Sequence, residues 1–327
     1  MRPKLAELEM IISKMPLEVC CVSVLLEFGV SWKEVSRTVR NYRLPMQSSS
    51  VAKVLCRHVA KSLSKDDLED ILGRLRLKLV TTQSRTWHVL HLLEPTSDEP
   101  VTELMRTIPH RVLTALRRGK NRSMTPKVHS VMHGDLIYLS LQFVSDTKES
   151  SVFYLATPPG QPIALVSAVS ASKLLKACIE GIGYALFEDA KLHGKDIESL
   201  LRISDPGSNT RADHLTLTPD YQPVPVVLPN GIDYTHRQYD QMYVDNVIGP
   251  NPPLLTEINL TSTRRFFDRS LLNKTINLKL SLKSDDISKT LRNWVTNGAI
   301  SPTSDFFKIF HEVKSNNINY NRDSDSD

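Results

Sequence analysis

The spacing of apolar residues changes once along the chain, and this change restricts the fold more than any other feature of the sequence. Over residues 1–95 apolar side chains recur at helical intervals, and capping residues separate the segments. Leu5, Leu8 and Ile12 show this spacing in the first segment. We therefore predict six short helices, the last of them over SRTWHVLHLL, packed as one small antiparallel bundle.

The middle of the chain has the pattern of strands. LIYLSLQFV, SVFYLAT and PIALVSA are short, rich in β-branched and aromatic residues, and separated by turn signals. They predict a β-meander. The segment SASKLLKACIEGIGYALFEDA predicts a long helix that packs against this meander. Another helix, kinked or restarted at Pro109, precedes the meander in the sequence. The predicted fold class is therefore α+β.

The last third of the sequence combines loops with two regular segments. NKTINLKLSLKS alternates as a strand does, and SDDISKTLRNWV predicts a helix capped by Ser284. The chain is thereby divided into a helical domain at 1–95, a central α+β domain at 101–205, a C-terminal mixed region at 206–313 and a polar, disordered tail at 314–327.

Positive charge is concentrated in one segment. RVLTALRRGKNRSMTPK, residues 111–127, contains six Arg or Lys residues, and no carboxylate occurs between Glu103 and Asp135. The net charge of the whole chain is only +5, so this is a local asymmetry that indicates an anionic partner. The alternative is a solvated helix end, where basic residues favour the helix dipole. A membrane would require spare bulky apolar residues, so the phosphate backbone of nucleic acid is preferred.

Motifs for catalysis or metal binding are scarce. The sequence has no dinucleotide or P-loop fingerprint, and its four cysteines form no CxxC pair. The pairs His88/His91 and His129/His133 have metal-binding spacing but no nearby Cys or carboxylate ligand. We predict no enzymatic activity, cofactor or metal. The short apolar run VCCVSVLL and the charged N-terminus predict an intracellular protein without a membrane partner.

The order of these parts resembles the centromere protein N family of the inner kinetochore. The resemblance covers roughly residues 5–305, and its best blocks are SVFYLATPPGQPIALVSAVSASKLLKACIEGIGYAL and INLKLSLKSDDISKTLRNWVTNGAIS. It implies a pyrin or death-fold-like N-terminal bundle beside a central domain, with a basic groove formed by the two. It also implies a C-terminal region that forms a heterodimer.

The family's partners are then the expected partners of this chain. The resemblance implies binding to nucleosomal DNA and to the centromeric histone variant, and pairing with centromere protein L. It also implies contact with other subunits of the constitutive centromere-associated network. The expected location is the nucleus, at the centromere and kinetochore, with a role in chromosome segregation.

Eight residues fall on the family's DNA- and nucleosome-binding positions. They are Lys14, Arg85, Arg106, Arg111, Arg117, Arg118, Lys120 and Lys195. The family's first helix carries paired charges that meet a histone loop, and this chain has Arg2, Ala6, Glu9 and Met10 there. Two other readings stay open at this point. One is an adaptor that binds proteins only, and the other is a nucleic-acid-processing enzyme without a recognised motif.

Overall fold

The computed structural model describes most of the chain in two compact units. One unit comprises Met1–Arg85 with Leu92–Phe187, and the other Thr86–His91 with Glu188–Asp327. The described residues are 2–96, 101–117, 125–144, 150–170, 172–204, 221, 226–228, 231–233, 236–266, 274–311 and 313–320. They form a mixed α+β structure, which confirms the predicted fold class.

The first unit begins with the predicted helical bundle. Its elements are α1 (Arg2–Ser13), α2 (Leu17–Val19), a π-helical segment (Cys20–Val24), α3 (Leu25–Glu27), α4 (Trp32–Asn41), α5 (Ser48–Ser62) and α6 (Lys65–Thr82). Ser31 and Glu34 close a capping box at α4, and the Ser64 hydroxyl accepts from the Asp67 N–H at α6. One apolar core joins the helices, and it includes Leu8, Ile12, Val39, Leu55, Leu68 and Leu72.

The predicted sixth helix is wrong, because its residues form strand β1 (Trp87–Pro95). β1 lies between two other strands of a six-stranded sheet, and Trp87, Val89, Leu90 and Leu92 are all buried. A strand covered on both faces lacks polar alternation, so its apolar run cannot be distinguished from a helix by periodicity.

The other strands of this sheet include the predicted meander. They are β2 (Thr125–His133), β3 (Leu136–Val144), β4 (Phe153–Thr157), β5 (Ile163–Val166) and β6 (Tyr184–Gly194), in the order β2-β3-β4-β5-β1-β6. The pairs β2–β3, β3–β4 and β4–β5 are antiparallel. The long helix predicted after the meander is shorter than expected. It is α8 (Ser172–Gly181), which ends at a glycine because glycine is unfavourable within a helix. Strand β6 then covers the residues that were expected to continue the helix.

Helix α7 (Val101–Arg117) runs without interruption through Pro109, so the expected restart of the helix is not observed. Helix α7 packs on both α8 and β2. At Gly181 the α8 backbone comes so close that an added Cβ would lie 2.3 Å from the Val112 Cγ2.

The second unit contains the C-terminal elements. These are α9 (Ile197–Ser204), β7 (Val226–Leu228), β8 (Gly231–Asp233), α10 (Arg237–Ile248), β9 (Glu257–Phe266), β10 (Lys274–Lys283), α11 (Ile287–Thr296), α12 (Asp305–His311) and β11 (Asn317–Asn319). β10 pairs antiparallel with β9, and β11 pairs parallel with the other side of β9. The predicted strand and helix here are confirmed, but Asp286 rather than Ser284 caps α11.

Part of the tail predicted to be disordered is ordered. Its residues 317–319 form β11, and Asn316 beside them is fully buried. The Asn316 side chain accepts from the His193 N–H and donates to the Glu257 carbonyl oxygen. A polar side chain that satisfies buried backbone groups can fix a segment with little apolar surface. The rest of the predicted tail, 321–327, lies outside the described residues.

Replacement of Asn316 by Ala should release β11. The change leaves the His193 N–H and the Glu257 C=O, both in a part-buried setting, without these partners, so we expect a loss of about 1–3 kcal/mol of unfolding free energy. Hydrogen exchange of the β9 and β11 amides across a urea series measures it. The exposed neighbour Asn317→Ala is the matched control. Equal exchange in the two variants would contradict the assigned role of the Asn316 side chain.

Replacement of Gly73 by Ala should disturb the contact between α6 and β2. An added Cβ would lie 2.2 Å from the His129 Nε2, so the imidazole must move although Ala favours helix. We expect destabilisation of about 1–3 kcal/mol, as for other overpacked sites. In Gly73→Ala/His129→Ala the clash is removed. Urea titration of both single variants and the double variant should therefore show that the two changes in unfolding free energy do not add up to the change in the double variant. Strict additivity would contradict the contact between Gly73 and His129.

Candidate nucleic-acid interface

Helix α7 separates an apolar side from a basic one. Ile108 and Val112 are four residues apart and fully buried. Arg106 and His110 are also four residues apart, and both are exposed. Since residues at this interval share one helical face, α7 is anchored by one face and presents positive charge on another. Arg111 lies between these faces and is half-buried.

The close approach at Gly181 holds this helix in place. Val112 fills the space that a side chain on Gly181 would need, so α7 cannot rotate without losing that packing. A rigid helix avoids the entropic cost of ordering its backbone when an anion binds, so the cost is limited to the rotamer freedom of the exposed side chains. The outward side of α7 is therefore a fixed basic surface.

The later part of the basic segment has a structural role. On edge strand β2, the Lys127 Nζ lies 3.4 Å from the Glu69 Oε1 of α6. His129, on the same face of β2, packs over Gly73 of α6. Lys127 and His129 thus dock the helical bundle on the sheet, and the Lys127 charge, paired with Glu69, is less available to an anion than that of the exposed Arg106 on α7.

The cations Arg74, Arg76 and Lys78 of α6 are neutralised in the same region. Glu69 pairs with Lys4, Arg76 and Lys127, and Glu7 pairs with Arg76. On the other side of α6, Glu27 receives the Arg74 Nε at 2.7 Å and the Lys78 Nζ at 2.6 Å. Lys78 is almost fully buried, so its charge depends on Glu27.

These pairs change the acidity of the groups involved. Burial alone would raise the pKa of Glu27, but the hydrogen bonds and charges of Lys78 and Arg74 outweigh it and hold the pKa below its ordinary value. The same holds for Glu69: burial alone would raise its pKa, but Lys4, Lys127 and Arg76 together hold the pKa below its ordinary value. Burial lowers the pKa of His129; the charge of Asp70 opposes this, and the cations Arg74, Arg76 and Lys127 lower the pKa further.

The predicted site residues of the bundle differ in availability. Lys14 is exposed in the turn that follows α1. Arg85 is half-buried, with its guanidinium carbon 4.5 Å from the ring centroid of the buried Tyr154. One face of the Arg85 guanidinium is therefore occupied by a cation–π contact, which leaves the N–H donors at its edge for an anion.

The remaining predicted residues fall in three places. Arg106 and Arg111 are both on α7, which ends at Arg117. Arg118 and Lys120 lie outside the described residues. Lys195 is exposed, but it belongs to the second unit, whereas Lys14, Arg85, Arg106 and Arg111 belong to the first. The described residues thus bring Arg106 and Arg111 together on a single helix.

A second set of basic residues was not predicted. Helices α4 and α5 and the turn between them carry exposed cations at Lys33, Arg37, Arg40, Arg43, Lys53 and Arg57. The sequence contains a signal for them, because no Asp or Glu occurs between Glu34 and Asp66. These cations are spaced three or more residues apart, so they form no visible run until the helices place them together.

Catalytic or metal-binding constellations have little basis in the described part of the chain. No group of three or more His, Cys, Asp or Glu side chains there is arranged to hold a metal ion. Burial raises the pKa of the Cys178 thiol to about 12, which makes it a poor nucleophile. Among the described residues, no helix has both the length and the apolarity that crossing a bilayer requires.

Comparison with known proteins adds no assignment. No family model matches the chain. No curated protein matches its sequence.

The Glu27 cluster predicts a defined dependence of stability on pH. Because the folded pKa of Glu27 is lowered, its contribution is present above the unfolded pKa and is lost as pH falls through the folded value. Glu27→Gln leaves Lys78 buried without a counter-charge, and we expect a loss of about 2–4 kcal/mol at pH 7. Urea titrations between pH 7 and pH 3 should show that the free energy of unfolding falls less with pH in this variant than in the exposed control Glu18→Gln. An equal fall in both variants would contradict the role of Glu27.

Proposed function

We propose that the chain is a non-enzymatic subunit of the inner kinetochore that binds nucleosomal DNA and pairs with a second subunit. The observation that carries the DNA part is the exposed basic face of α7 at Arg106 and His110, which belongs to the stretch between Glu103 and Asp135 that lacks any acidic residue. The resemblance to the centromere protein N family supplies the cellular role, and with it a location at the centromere in the nucleus.

Contact with the DNA backbone suits this surface. Phosphate contacts require positive charge and reach, whereas base recognition requires side chains fitted to the edges in a groove. Arg106 and His110 are exposed on a rigid helix, and the basic segment continues beyond its last turn. Such a surface gives affinity that depends on salt and hardly on DNA sequence.

The finer parts of the proposal follow from the family. The helices of the first unit would correspond to its pyrin or death-fold-like bundle, with β1 in place of the sixth helix. Arg2, Ala6, Glu9 and Met10 replace the paired charges that meet a histone loop in the family. DNA contacts would therefore provide most of the affinity, and the centromeric histone variant would contribute less.

Strand β10 is the best place for a subunit such as centromere protein L. It is the first strand in the order β10-β9-β11, so its other edge has no strand neighbour among the described residues. Leu278, Leu280 and Leu282 share one face of β10, and Leu278 is 55% exposed. An exposed apolar edge strand favours pairing with another chain, which would cover both the backbone groups and Leu278.

Nucleosome binding across a salt series tests the DNA part of the proposal. We expect a steep dependence of affinity on salt for the wild-type chain. Each lost phosphate contact reduces the log–log slope by about 0.9, so Arg106→Glu/Arg117→Glu/Arg118→Glu should flatten it by roughly 2–3. Two nucleosomes on the same DNA, one with ordinary and one with centromeric histone, report the histone contribution.

The matched control reverses three exposed charges in the second unit, with Lys289→Glu, Lys308→Glu and Lys314→Glu. Its slope should equal that of the wild-type chain. No binding to either nucleosome, or the same slope in all three proteins, would eliminate DNA binding by α7. The protein-only adaptor of the kinetochore would then be the better description.

A further inference from the structure

We propose that Thr125 is a phosphorylation site for a proline-directed serine/threonine kinase, and that its phosphate weakens the binding of nucleic acid by the basic segment at 111–127. Thr125 is the first residue of β2, and Pro126 follows it. The assignment of the modification site does not depend on the function proposed above. The effect of the phosphate on nucleic-acid binding rests on that function, because it concerns the same basic segment.

The sequence contains four Ser/Thr–Pro dipeptides, which begin at Thr125, Thr157, Thr218 and Ser301. Thr218 lies outside the described residues. Thr157 is buried, and its hydroxyl is used in a hydrogen bond within the sheet. Ser301 is exposed, but the proline after it is buried. At Thr125 the side chain is exposed and the following proline is half-buried, so both groups that a proline-directed kinase must contact are accessible there.

The backbone around Thr125 also suits a kinase substrate. Thr125 and Val144 form the last described pair of the β2–β3 ladder, and β2 is an edge strand of the sheet. Pro126 has no N–H to donate, and an edge strand is where proline is tolerated. A kinase binds its substrate as an extended segment, and the end of an edge strand is already extended and opens at little cost in free energy. Thr125 can therefore enter a kinase active site without unfolding of the sheet.

The effect of a phosphate follows from the charges that flank Thr125 in the sequence. The stretch between Glu103 and Asp135 contains seven basic residues and no acidic one. A phosphothreonine carries a charge of about −1.5 to −2 at pH 7. Its phosphate would be the first negative side chain in this stretch and would offset about two of the seven positive charges. The phosphates of DNA, which have the same sign, would then be attracted less strongly.

Lys127 can bind such a phosphate directly. Residues 125 and 127 share one face of β2 and lie about 7 Å apart, a distance that a lysine side chain can span. The Lys127 Nζ lies 3.4 Å from the Glu69 Oε1, and its side chain is 37% exposed, so it can turn towards a phosphate on Thr125. Glu69 would still be paired with Lys4 and Arg76. The modification therefore changes the charge of the basic segment and leaves most of the contact between α6 and β2 in place.

The transfer itself needs only a kinase and MgATP. The Thr125 Oγ forms a bond to the γ-phosphorus of ATP, and the bond between that phosphorus and the oxygen of the leaving ADP breaks. The hydroxyl proton passes to the catalytic carboxylate of the kinase. This chain supplies the nucleophilic oxygen and the sequence that the kinase recognises.

Phosphorylation of the full chain by a purified cyclin-dependent kinase with MgATP tests the assignment, with mass spectrometry to locate each phosphate. We expect Thr125 to be modified roughly tenfold faster than Ser301, because an open ladder end costs less to expose. Pro126→Ala should slow the modification of Thr125 by roughly tenfold, because the kinase loses its contact with the proline. The absence of phosphate on Thr125, or an equal rate in Pro126→Ala, would overturn the assignment.

Fluorescence anisotropy with a 20-base-pair duplex across a salt series tests the effect of the phosphate. The phosphorylated chain should show a log–log slope flatter by about 1.5–2 and should bind roughly tenfold more weakly at 0.15 M salt. The matched control is Thr125→Val, which keeps the shape of the side chain and lacks the hydroxyl. After the same treatment with kinase and MgATP it should bind as the untreated wild-type chain does. Thermal unfolding of the phosphorylated chain verifies that the first unit is intact.

The outcomes separate this inference from the proposed function. Suppose that the phosphorylated chain binds duplex as tightly as the unmodified chain, whereas Arg106→Glu/Arg117→Glu/Arg118→Glu weakens binding. The proposed function then stands, and the effect of the phosphate is overturned. Equal weakening of treated Thr125→Val would also overturn that effect, because another residue would carry the responsible phosphate. If the unmodified chain does not bind duplex, the proposed function fails together with the effect of the phosphate, and the rate of modification at Thr125 still decides the site.

Discussion

The contact between α6 and β2 determines how the first unit is built. Gly73 leaves space for His129, and Glu69 on the same helix collects Lys4, Arg76 and Lys127. A helical bundle and an antiparallel sheet each have an apolar face to cover, but here polar groups also join them. Because partly buried charges are costly when a partner is missing, this junction accepts few alternative arrangements. It thereby fixes β2, against which α7 also packs.

The junction also explains why some basic residues are available and others are not. The acids of the bundle are concentrated on α1, α3 and α6, and they neutralise the cations of α6 and one of β2. Among the described residues, the cations Lys33, Arg37 and Arg40 of α4 and Lys53 and Arg57 of α5 form no such ion pairs within 4.0 Å. Exposure alone would not separate the two classes, since Lys127 and Arg74 are partly exposed as well. Pairing does separate them, and it links the packing of the bundle to the surfaces that can bind an anion.

The sequence predicted those features that have a local cause. Helix α4 has a capping box, β3 to β5 have turn signals between them, and β10 alternates, so each was recognisable. Strand β1 was mistaken because burial on both faces removes alternation. Helix α10 was missed because only Tyr243 and Val244 of its residues are fully buried.

The candidate site was predictable to the same extent. A run of charge such as that on α7 is visible in the sequence, whereas the exposed cations of α4, of α5 and of the turn between them come together only when the two helices pack. The cation–π contact of Arg85 with Tyr154 joins residues far apart in the chain, so no local pattern could reveal that part of the Arg85 side chain is occupied.

Two segments of the sequence are far more positive than the net charge of the chain suggests, because acidic residues are absent from them. Residues 35–65 and 104–134 hold fourteen of the 41 Lys and Arg residues and none of the 36 Asp and Glu residues. The remainder of the chain therefore has 27 basic residues against 36 acidic ones. A polyanion would be repelled by most of the chain and attracted by two segments. Such a field orients a charged partner during approach, and it does so only within about 10 Å at 0.1 M salt. The specificity of this chain for a surface on its partner would then arise from where its acids are absent as much as from where its cations are present.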